Sequence, residues 1–203
     1  MSTEERVPFA PVPSHGKLIA IVGPSGAGKD TLIDAARAEF AGHPGLAFPR
    51  RIITRESSSA EDHDTMSEAE FARIEAEGGF SLSWRAHGLS YALPREVRSA
   101  TERGIHAVCN LSRSSLSEAR ERFARVNVVL VTAPAEVIAQ RLAARGRESA
   151  EVIRARLARK VDREDALHPD LIITNDGPVE AAVDRLLAHL RAELSSSARQ
   201  AAE

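Results

Sequence analysis

The sequence of 203 residues predicts an α/β protein built on a doubly wound, mainly parallel β-sheet. Two unbroken apolar runs, at 17–22 and 126–131, are typical of parallel strands that are covered on both faces. Segments with helical patterns alternate with apolar runs along most of the chain. The first apolar run also ends in a glycine-rich turn that leads directly into a helix. In this fold class ligands bind at the carboxyl ends of the strands, where that turn lies.

The chain begins with a segment at 1–16 that contains closely spaced prolines and has no periodicity, which predicts a flexible tail. The strand at 17–22 is followed by a predicted helix at 30–40, and a turn with two glycines around 42–45 closes that helix.

The region from about 50 to 93 breaks the alternation and predicts a small α+β insertion. A β-branched run at 50–54 indicates a short strand or extended segment, and the polar residues after it indicate turns. Ser67 opens a capping box before a helix that ends near 77. Residues 80–84 alternate apolar and polar side chains, as in a strand with one buried face, and 89–93 can pair back onto it.

The second half of the chain returns to the alternation and completes one domain at 17–194. Its predicted strands and helices lie at 94–104, 105–111, 115–123, 126–131, 134–144, 150–161 and 171–174. Pro178 begins a terminal helix, and 195–203 is expected to be a flexible tail.

The glycine-rich turn follows the phosphate-binding loop pattern G-x-x-x-x-G-K-[ST] except at the last position. Small residues allow successive N–H groups to converge on phosphate oxygens, and the start of the following helix adds a partial positive charge. We expect this loop to hold the phosphates of a nucleoside triphosphate through Gly23, Pro24, Ser25, Gly26, Ala27, Gly28, Lys29, Asp30 and Thr31.

Asp30 stands where the pattern has the Ser or Thr that holds Mg²⁺. A carboxylate is also a hard oxygen ligand, so Asp30 is a candidate metal residue, directly or through water. The neighbouring Thr31 is the alternative candidate.

The composition limits the class of protein. Lys and Arg number 27 against 29 Asp and Glu, a formal charge of -2, so no excess of positive charge for nucleic-acid binding is present. The single cysteine, Cys109, excludes an intramolecular disulfide and fits a reducing compartment. No segment has the length and apolarity of a membrane span. We expect a soluble, cytoplasmic protein without membrane or nucleic-acid partners, and the oligomeric state stays open, with a homodimer as one alternative.

Four further stretches, taken in order behind the phosphate loop, carry a resemblance. They are Ile53-Thr54-Arg55, Trp84 with His87-Gly88 and Tyr91, Arg141 with Arg145-Gly146-Arg147, and Asn175-Asp176. Over roughly 17–192 the chain resembles the guanylate-kinase-like nucleoside monophosphate kinases, a P-loop NTPase-type fold. Within that group it is most similar to the ribose 1,5-bisphosphate phosphokinases of bacterial phosphonate catabolism, on GPSGAGKD, RRIITR, LSWRAHGLSY, NLSR and ARGRESAEVIRARLAR.

The chain departs from the guanylate kinases at the positions that matter for guanine. That family reads the base with an acid in an F-I-E-W-like strand, and the corresponding residue here is Ser83. The family's second Arg after the Thr-Arg pair is replaced by Glu56-Ser57-Ser58, and Asn110 and Ser112 lie where an Asp ends its central strand. We therefore expect guanine selectivity to be lost and a small, phosphate-rich acceptor to fit better.

The resemblance implies phosphorylation of ribose 1,5-bisphosphate to phosphoribosyl pyrophosphate, with ATP and Mg²⁺ as cofactors. It assigns Lys29 to the ATP phosphates, and Arg141, Arg145 and Arg147 to an Arg-rich lid at about 141–161 that closes over the transferring group. The phosphates of the sugar acceptor are expected to bind in the insertion, to Arg50, Arg51 and Arg55, with His87, Tyr91, Asn110 and Arg113 as further candidates.

Each assignment has an ordinary structural alternative. Arg145 and Arg147 flank a glycine that can end a helix, where cations favour the helix dipole without any ligand. Arg50 and Arg51 can form surface ion pairs, and Trp84 is expected to be a core residue. Two other functions also stay open, a guanylate-like nucleoside monophosphate kinase and a non-catalytic binding module of the same fold.

Overall fold

The computed structural model describes residues 15–54, 63–86, 88–144 and 167–200. In these ranges the strands are β1 Leu18–Val22, β2 Leu46–Ala47, β3 Arg51–Ile53, β4 His63–Thr65, β5 Phe80–Ala86, β6 Leu89–Pro94, β7 His106–Asn110, β8 Val126–Thr132 and β9 Leu171–Thr174. The α-helices are α1 Lys29–Glu39, α2 Glu68–Ala76, α3 Arg95–Glu102, α4 Leu116–Arg122, α5 Ala135–Ala144 and α6 Val179–Gln200, with a 3₁₀ turn at Arg113–Ser115.

The main sheet has five parallel strands in the order β2-β7-β1-β8-β9. Strand β1 lies at its centre, and each of its five residues is buried. Ile19 and Ile21 pack with α1 and α6 on one face, whereas Leu18 and Ala20 pack with α3, α4 and the second sheet on the other. Both faces of the sheet are therefore covered, and the predicted α/β fold with a doubly wound, mainly parallel sheet is confirmed.

The insertion folds as a second sheet of four strands in the order β4-β3-β6-β5. Strand β6 pairs antiparallel with both β3 and β5, whereas β3 and β4 run parallel. Helix α2 covers one face through a small cluster centred on Phe71, Phe80 and Ala92. The opposite face contributes Leu82, Trp84 and Leu93 to the core shared with the main sheet. This shared core fixes the small sheet beside the carboxyl ends of the main strands.

Three features of the fold differ from the sequence-based expectation. The short strands β2 and β4 were not predicted, because one has only two residues and the other, His63–Thr65, is polar. The terminal helix continues to Gln200, so 195–200 is not a flexible tail. Ser197 Oγ lies 3.0 Å from Nε2 of His106, which ties this last part of α6 to β7. The predicted N-terminal tail up to residue 14 and the predicted helix at 150–161 lie outside the described residues. Among the described helices, none is long and apolar enough to cross a membrane.

Candidate active site

The phosphate loop connects β1 to α1 at the carboxyl edge of the main sheet, as its sequence predicts. All three of its glycines have positive φ angles, of 145° at Gly23, 86° at Gly26 and 96° at Gly28. A Cβ on Gly23 would lie 1.9 Å from the carbonyl oxygen of Val131, and one on Gly28 would lie 2.4 Å from Nδ2 of Asn175. Both positions therefore require glycine for backbone conformation and for space.

The N-terminus of α1 is shaped to receive an anion. Gly28 is the N-cap residue, and no side chain caps the first N–H groups of the helix. Those groups carry the partial positive charge of the helix start. Lys29 Nζ donates hydrogen bonds of 2.9 Å to the carbonyl oxygens of both Gly23 and Pro24, so its ammonium group lies over the loop. A phosphate placed at this helix end meets main-chain donors and a cation together.

Asn175, at the end of β9, supports the loop from the opposite side and was not among the predicted site residues. Its Nδ2 donates a 2.8 Å hydrogen bond to the carbonyl of Ala27, and its main-chain N–H bonds to Thr132 at 2.7 Å. The side chain is buried, and its Oδ1 has no hydrogen-bond partner among the described residues. The signal in the sequence was the Asn-Asp pair after the last strand, which is equally typical of an ordinary turn.

Arg141 lies on α5, next to the phosphate loop. The two α5 residues Ile138 and Leu142 approach a Cβ built on Gly26 to 3.2 and 3.1 Å, so this helix packs directly against the loop. Arg141 follows Ile138 by three residues and therefore lies on the same side of the helix. Its Nη1 is buried and has no hydrogen-bond partner in the part of the chain that the structure describes. A buried guanidinium nitrogen of this kind fits an anionic ligand.

Asp30 lies where the phosphate loop meets the second sheet, which we call the acceptor sheet because it contains the predicted acceptor residues Arg51 and Tyr91. Its Oδ1 accepts a 2.5 Å hydrogen bond from Nδ2 of Asn110, the last residue of β7. The same oxygen lies 3.9 Å from Nη2 of Arg51 in β3. The structure thus brings together a predicted metal residue and two predicted acceptor residues. Asn110 was expected on the acceptor side alone, and its described contact is with the first turn of α1.

Arg51 also lies over an aromatic pair. Its guanidinium carbon is 6.0 Å from the centre of the Tyr91 ring. Tyr91 in turn stacks on Trp84, with ring centres 5.5 Å apart and planes within 9°. Trp84 is buried in the core, as the sequence analysis expected. The Arg51 side chain, 18% exposed, is therefore held between a carboxylate and a ring at the cleft between the two sheets.

The other predicted acceptor residues have separate positions. Arg50 pairs with Asp64 at 3.4 Å, and both side chains are more than half exposed, so this pair fits the surface ion-pair alternative. Arg113 lies in the 3₁₀ turn just after β7. Arg55 and His87, together with the lid residues Arg145 and Arg147, lie outside the described residues, and their assignments stay predictions.

Ser83, the residue predicted to stand in place of a guanine-reading acid, lies beside a carboxylate that is already paired. Glu75 of α2 forms an ion pair of 2.6 Å with Arg85. Hydrogen bonds from Arg85 and then from Ser83 hold the pKa of Glu75 below its ordinary value. The carboxylate that Ser83 contacts is thus paired with an arginine of the same strand.

Relatives of this chain were found by comparison with curated proteins. A ribose 1,5-bisphosphate phosphokinase PhnN of Methylobacterium radiotolerans is 52% identical over 177 residues, which cover 87% of this chain and 98% of the relative. The same enzyme of Brucella melitensis is 48% identical over 176 residues, or 86% of this chain and 92% of the relative. The chain belongs to the ribose 1,5-bisphosphate phosphokinase family. No protein-family model matches the sequence.

Membership of the ribose 1,5-bisphosphate phosphokinase family confirms the resemblance seen in the motifs. Among solved structures, the fold is similar to that of a guanylate kinase from Anaplasma phagocytophilum, with a TM-score of 0.65. That match covers 89% of this chain and 87% of the other at 18% identity, so it shows the fold alone. This chain therefore shares the guanylate kinase architecture.

Proposed function

We propose that this chain transfers the γ-phosphoryl group of ATP to the 1-phosphate of ribose 1,5-bisphosphate, giving phosphoribosyl pyrophosphate. The observation that carries the proposal is the identity of about half the chain with phosphokinases named for that acceptor. The geometry supports it, because an intact phosphate loop faces an insertion that offers cations for a second polyanion.

The chemistry asks little of general acid–base catalysis. An oxygen of the acceptor 1-phosphate is already ionised near neutral pH and attacks the γ-phosphorus directly. The new P–O bond forms as the bond from the γ-phosphorus to the β,γ-bridging oxygen breaks, and ADP leaves with that electron pair. The main task is to bring two polyanions into line, which requires cations and fixed positions.

On the donor side, Lys29 and the N–H groups of the loop hold the β- and γ-phosphates. Arg141 is proposed to contribute its buried Nη1, which has no hydrogen-bond partner among the described residues, to the binding of the donor phosphates. Arg145 and Arg147, which follow it in the sequence, are proposed to complete the lid over the transferring group. Cations at these positions stabilise the charge on the equatorial oxygens of the transition state.

Asp30 and Thr31 are the residues that fit Mg²⁺. Both are exposed in the first turn of α1, beside the loop, and both present a hard oxygen. The described residues contain no group of three or more His, Cys, Asp or Glu side chains that would hold a metal by themselves. A Mg²⁺ ion held by one or two protein oxygens would take its remaining ligands from phosphates and water. When bound, Mg²⁺ neutralises charge on the phosphates.

On the acceptor side, Arg51 and Tyr91 belong to the proposed phosphate site, and they contact each other. Thr54, which precedes Arg55 in the sequence, is anchored to β6, because its hydroxyl accepts a 2.9 Å hydrogen bond from the N–H of Ser90. Arg50, Arg55, His87, Asn110 and Arg113 remain proposed acceptor residues.

A guanylate-like kinase is the alternative enzyme, and the surroundings of Ser83 argue against it. A guanine edge buried without matched partners costs about 1–3 kcal/mol per unsatisfied group. The nearby Glu75 is engaged by Arg85 and offers a weaker replacement for the missing acid. A ribose bisphosphate has no base and loses nothing at this position. A non-catalytic binding module is disfavoured because the full phosphate cradle and Lys29 are in place.

A panel of acceptors tests the proposal. The purified protein is supplied with ATP and Mg²⁺ and with ribose 1,5-bisphosphate, GMP or AMP at matched concentrations, and formation of ADP and of the phosphorylated product is measured. We expect kcat/KM for ribose 1,5-bisphosphate to be far higher than for either nucleotide. Equal or better use of GMP would return the chain to the nucleotide kinases. Absence of ATP binding would favour the binding module.

The cellular role is part of the same proposal. The named activity supports a place in phosphonate catabolism and in the synthesis of phosphoribosyl pyrophosphate. Use of ATP and a single buried thiol, Cys109, support a location in the cytoplasm.

A further inference from the structure

The carboxylate of Asp30 contacts two strands that belong to different sheets. Asn110 ends β7 of the main sheet, and Arg51 begins β3 of the acceptor sheet. Both contacts are made to Oδ1, at 2.5 Å and 3.9 Å. The first turn of α1 is therefore linked to the arginine that the proposed function assigns to the acceptor.

The chemistry of residue 30 decides whether this link can exist. A Ser or Thr, the usual residues at this position of the loop, has a shorter and uncharged side chain. It cannot attract a guanidinium that lies 3.9 Å from the outer oxygen of an Asp. The Asp30 carboxylate, at 3.9 Å, and the Tyr91 ring, with its centre at 6.0 Å, both attract the Arg51 guanidinium and so restrain it.

We propose that Asp30 is a positioning residue for the acceptor: it holds Arg51 in the orientation that binds the phosphate to be phosphorylated. The inference rests on the proposed function, since it concerns the same acceptor site. It goes beyond the metal role, because the contacts use Oδ1 and the second oxygen of the carboxylate stays available to a metal. Through this contact, the Asp that stands in place of Ser or Thr next to the donor loop favours an acceptor with a phosphate that Arg51 can bind.

The direction in which acceptor affinity changes when Asp30 loses its charge separates a positioning role from simple charge repulsion. A carboxylate near an anion site repels the anion, so removing the charge of Asp30 should tighten phosphate binding if that is all it does. If Asp30 orients Arg51, removing the charge should weaken binding. Asp30→Asn is the suitable change because it has nearly the same shape and can still bond to Asn110.

The test is a double-mutant cycle on acceptor binding without nucleotide and without Mg²⁺, so that a metal-ligand role cannot contribute. Calorimetric titration with ribose 1,5-bisphosphate is made on the unmodified protein, Asp30→Asn, Arg51→Met and the double variant. We expect Asp30→Asn to raise Kd about threefold or more. In the Arg51→Met background the same change should have no weakening effect. Asp34→Asn, one turn further along α1 in an exposed pair with Arg37, is the matched control and should leave Kd unchanged.

Three outcomes overturn the inference. One is tighter binding by Asp30→Asn. Another is an equal weakening by Asp30→Asn in the presence and in the absence of the Arg51 guanidinium. The third is binding of GMP but not of ribose 1,5-bisphosphate by the unmodified protein, in which case the proposed function fails and the inference fails with it. If the unmodified protein binds ribose 1,5-bisphosphate but the effects of Asp30→Asn and Arg51→Met are independent, only the positioning role is removed. Circular dichroism spectra of the four proteins identify any variant that fails to fold, and Arg51→Gln then replaces Arg51→Met.

Discussion

Asn175 donates a 2.8 Å hydrogen bond from its carboxamide to the main-chain carbonyl of Ala27, so the end of β9 supports the phosphate loop from below. The same carboxamide occupies the space beside Gly28, where an added methyl group would lie 2.4 Å from Nδ2. Loop conformation and the Asn175 contact are therefore mutually dependent.

Gly28→Ala should abolish ATP binding by disrupting this pair. The substitution adds backbone strain at φ 96° and forces Asn175 away from the loop. Gly42→Ala is the matched control, because Gly42 also has a positive φ, of 76°, but nothing lies within 4 Å of its added Cβ. Both variants should lose about 1 kcal/mol or more of unfolding free energy to strain, and only Gly28→Ala should lose affinity for ATP. Calorimetric titration with ATP checks this, and equal affinity of the two variants would contradict it.

Lys29→Met should lower turnover by about a hundredfold or more, because it removes charge stabilisation from the transferring phosphates. The fold should be nearly unchanged, since the ammonium group lies over the loop, where it donates to the carbonyls of Gly23 and Pro24. Steady-state assays and urea unfolding measure the two effects separately. A folded variant with normal turnover would show that this loop does not hold the donor phosphates.

A polar cluster at the opposite edge of the main sheet should make stability depend on pH. His106 Nδ1 accepts a 3.0 Å hydrogen bond from the N–H of Lys17, and Nε2 contacts Ser197 of α6. The charged and polar groups around it include an ion pair of 2.5 Å between Lys17 and Glu193, and His189 next to Asn127. Burial is the main cause that lowers the pKa of both His106 and His189.

The direction of the pH dependence follows from the difference in histidine protonation between the unfolded and the folded protein. The unfolded chain takes up protons at these histidines near the ordinary pKa of about 6.5, whereas the folded protein does so only at lower pH. The free energy of unfolding should therefore be full above pH 7 and fall as the pH is lowered from about 6.5 toward 5. Urea unfolding at several pH values measures this. His106→Gln cannot be protonated and should flatten the slope, and an unchanged slope would rule out His106 as its source.

Cys109 should be unreactive in the folded protein. It is fully buried in β7, and burial raises the pKa of its thiol far above the usual range despite the nearby Arg51. A thiol reagent should modify it only in denaturant, as the thiolate is the reactive form. Rapid labelling of the native protein would mean that β7 opens far more readily than its packing indicates.

The parts of the fold that could be predicted are those with a local signal. The apolar runs of β1, β8 and β9 and the glycines of the loop carry their structure in short stretches. Strand β2 could not be predicted, because its two residues form a strand only through pairing with His106 and Ala107. The serines near the end of α6 have low helix propensity. The contact of Ser197 with His106 is a tertiary interaction that holds this part of the helix against β7.

In the candidate site, too, the parts with a local sequence pattern could be predicted and the contacts between distant residues could not. Spacing alone predicted the loop, whereas the contact of Asp30 with Asn110 joins residues 80 positions apart and has no trace in local sequence. The support of Ala27 by Asn175 spans 148 positions and was missed for the same reason. The resemblance to known kinases suggested candidate residues for the site, and the folded chain shows that atoms of Asp30, Asn110 and Arg51 meet.

The stacked pair of Trp84 and Tyr91 makes the acceptor cleft visible to spectroscopy without any label. The chain has one tryptophan and one tyrosine, so its near-ultraviolet signal arises mainly from this single stack. The indole is shielded from water, and the ring in front of it faces the Arg51 guanidinium. Any event that moves that arginine changes the surroundings of the phenol and, through it, the emission of the indole. Tryptophan fluorescence and near-ultraviolet circular dichroism can therefore report on the proposed binding of the acceptor at Arg51 without a label.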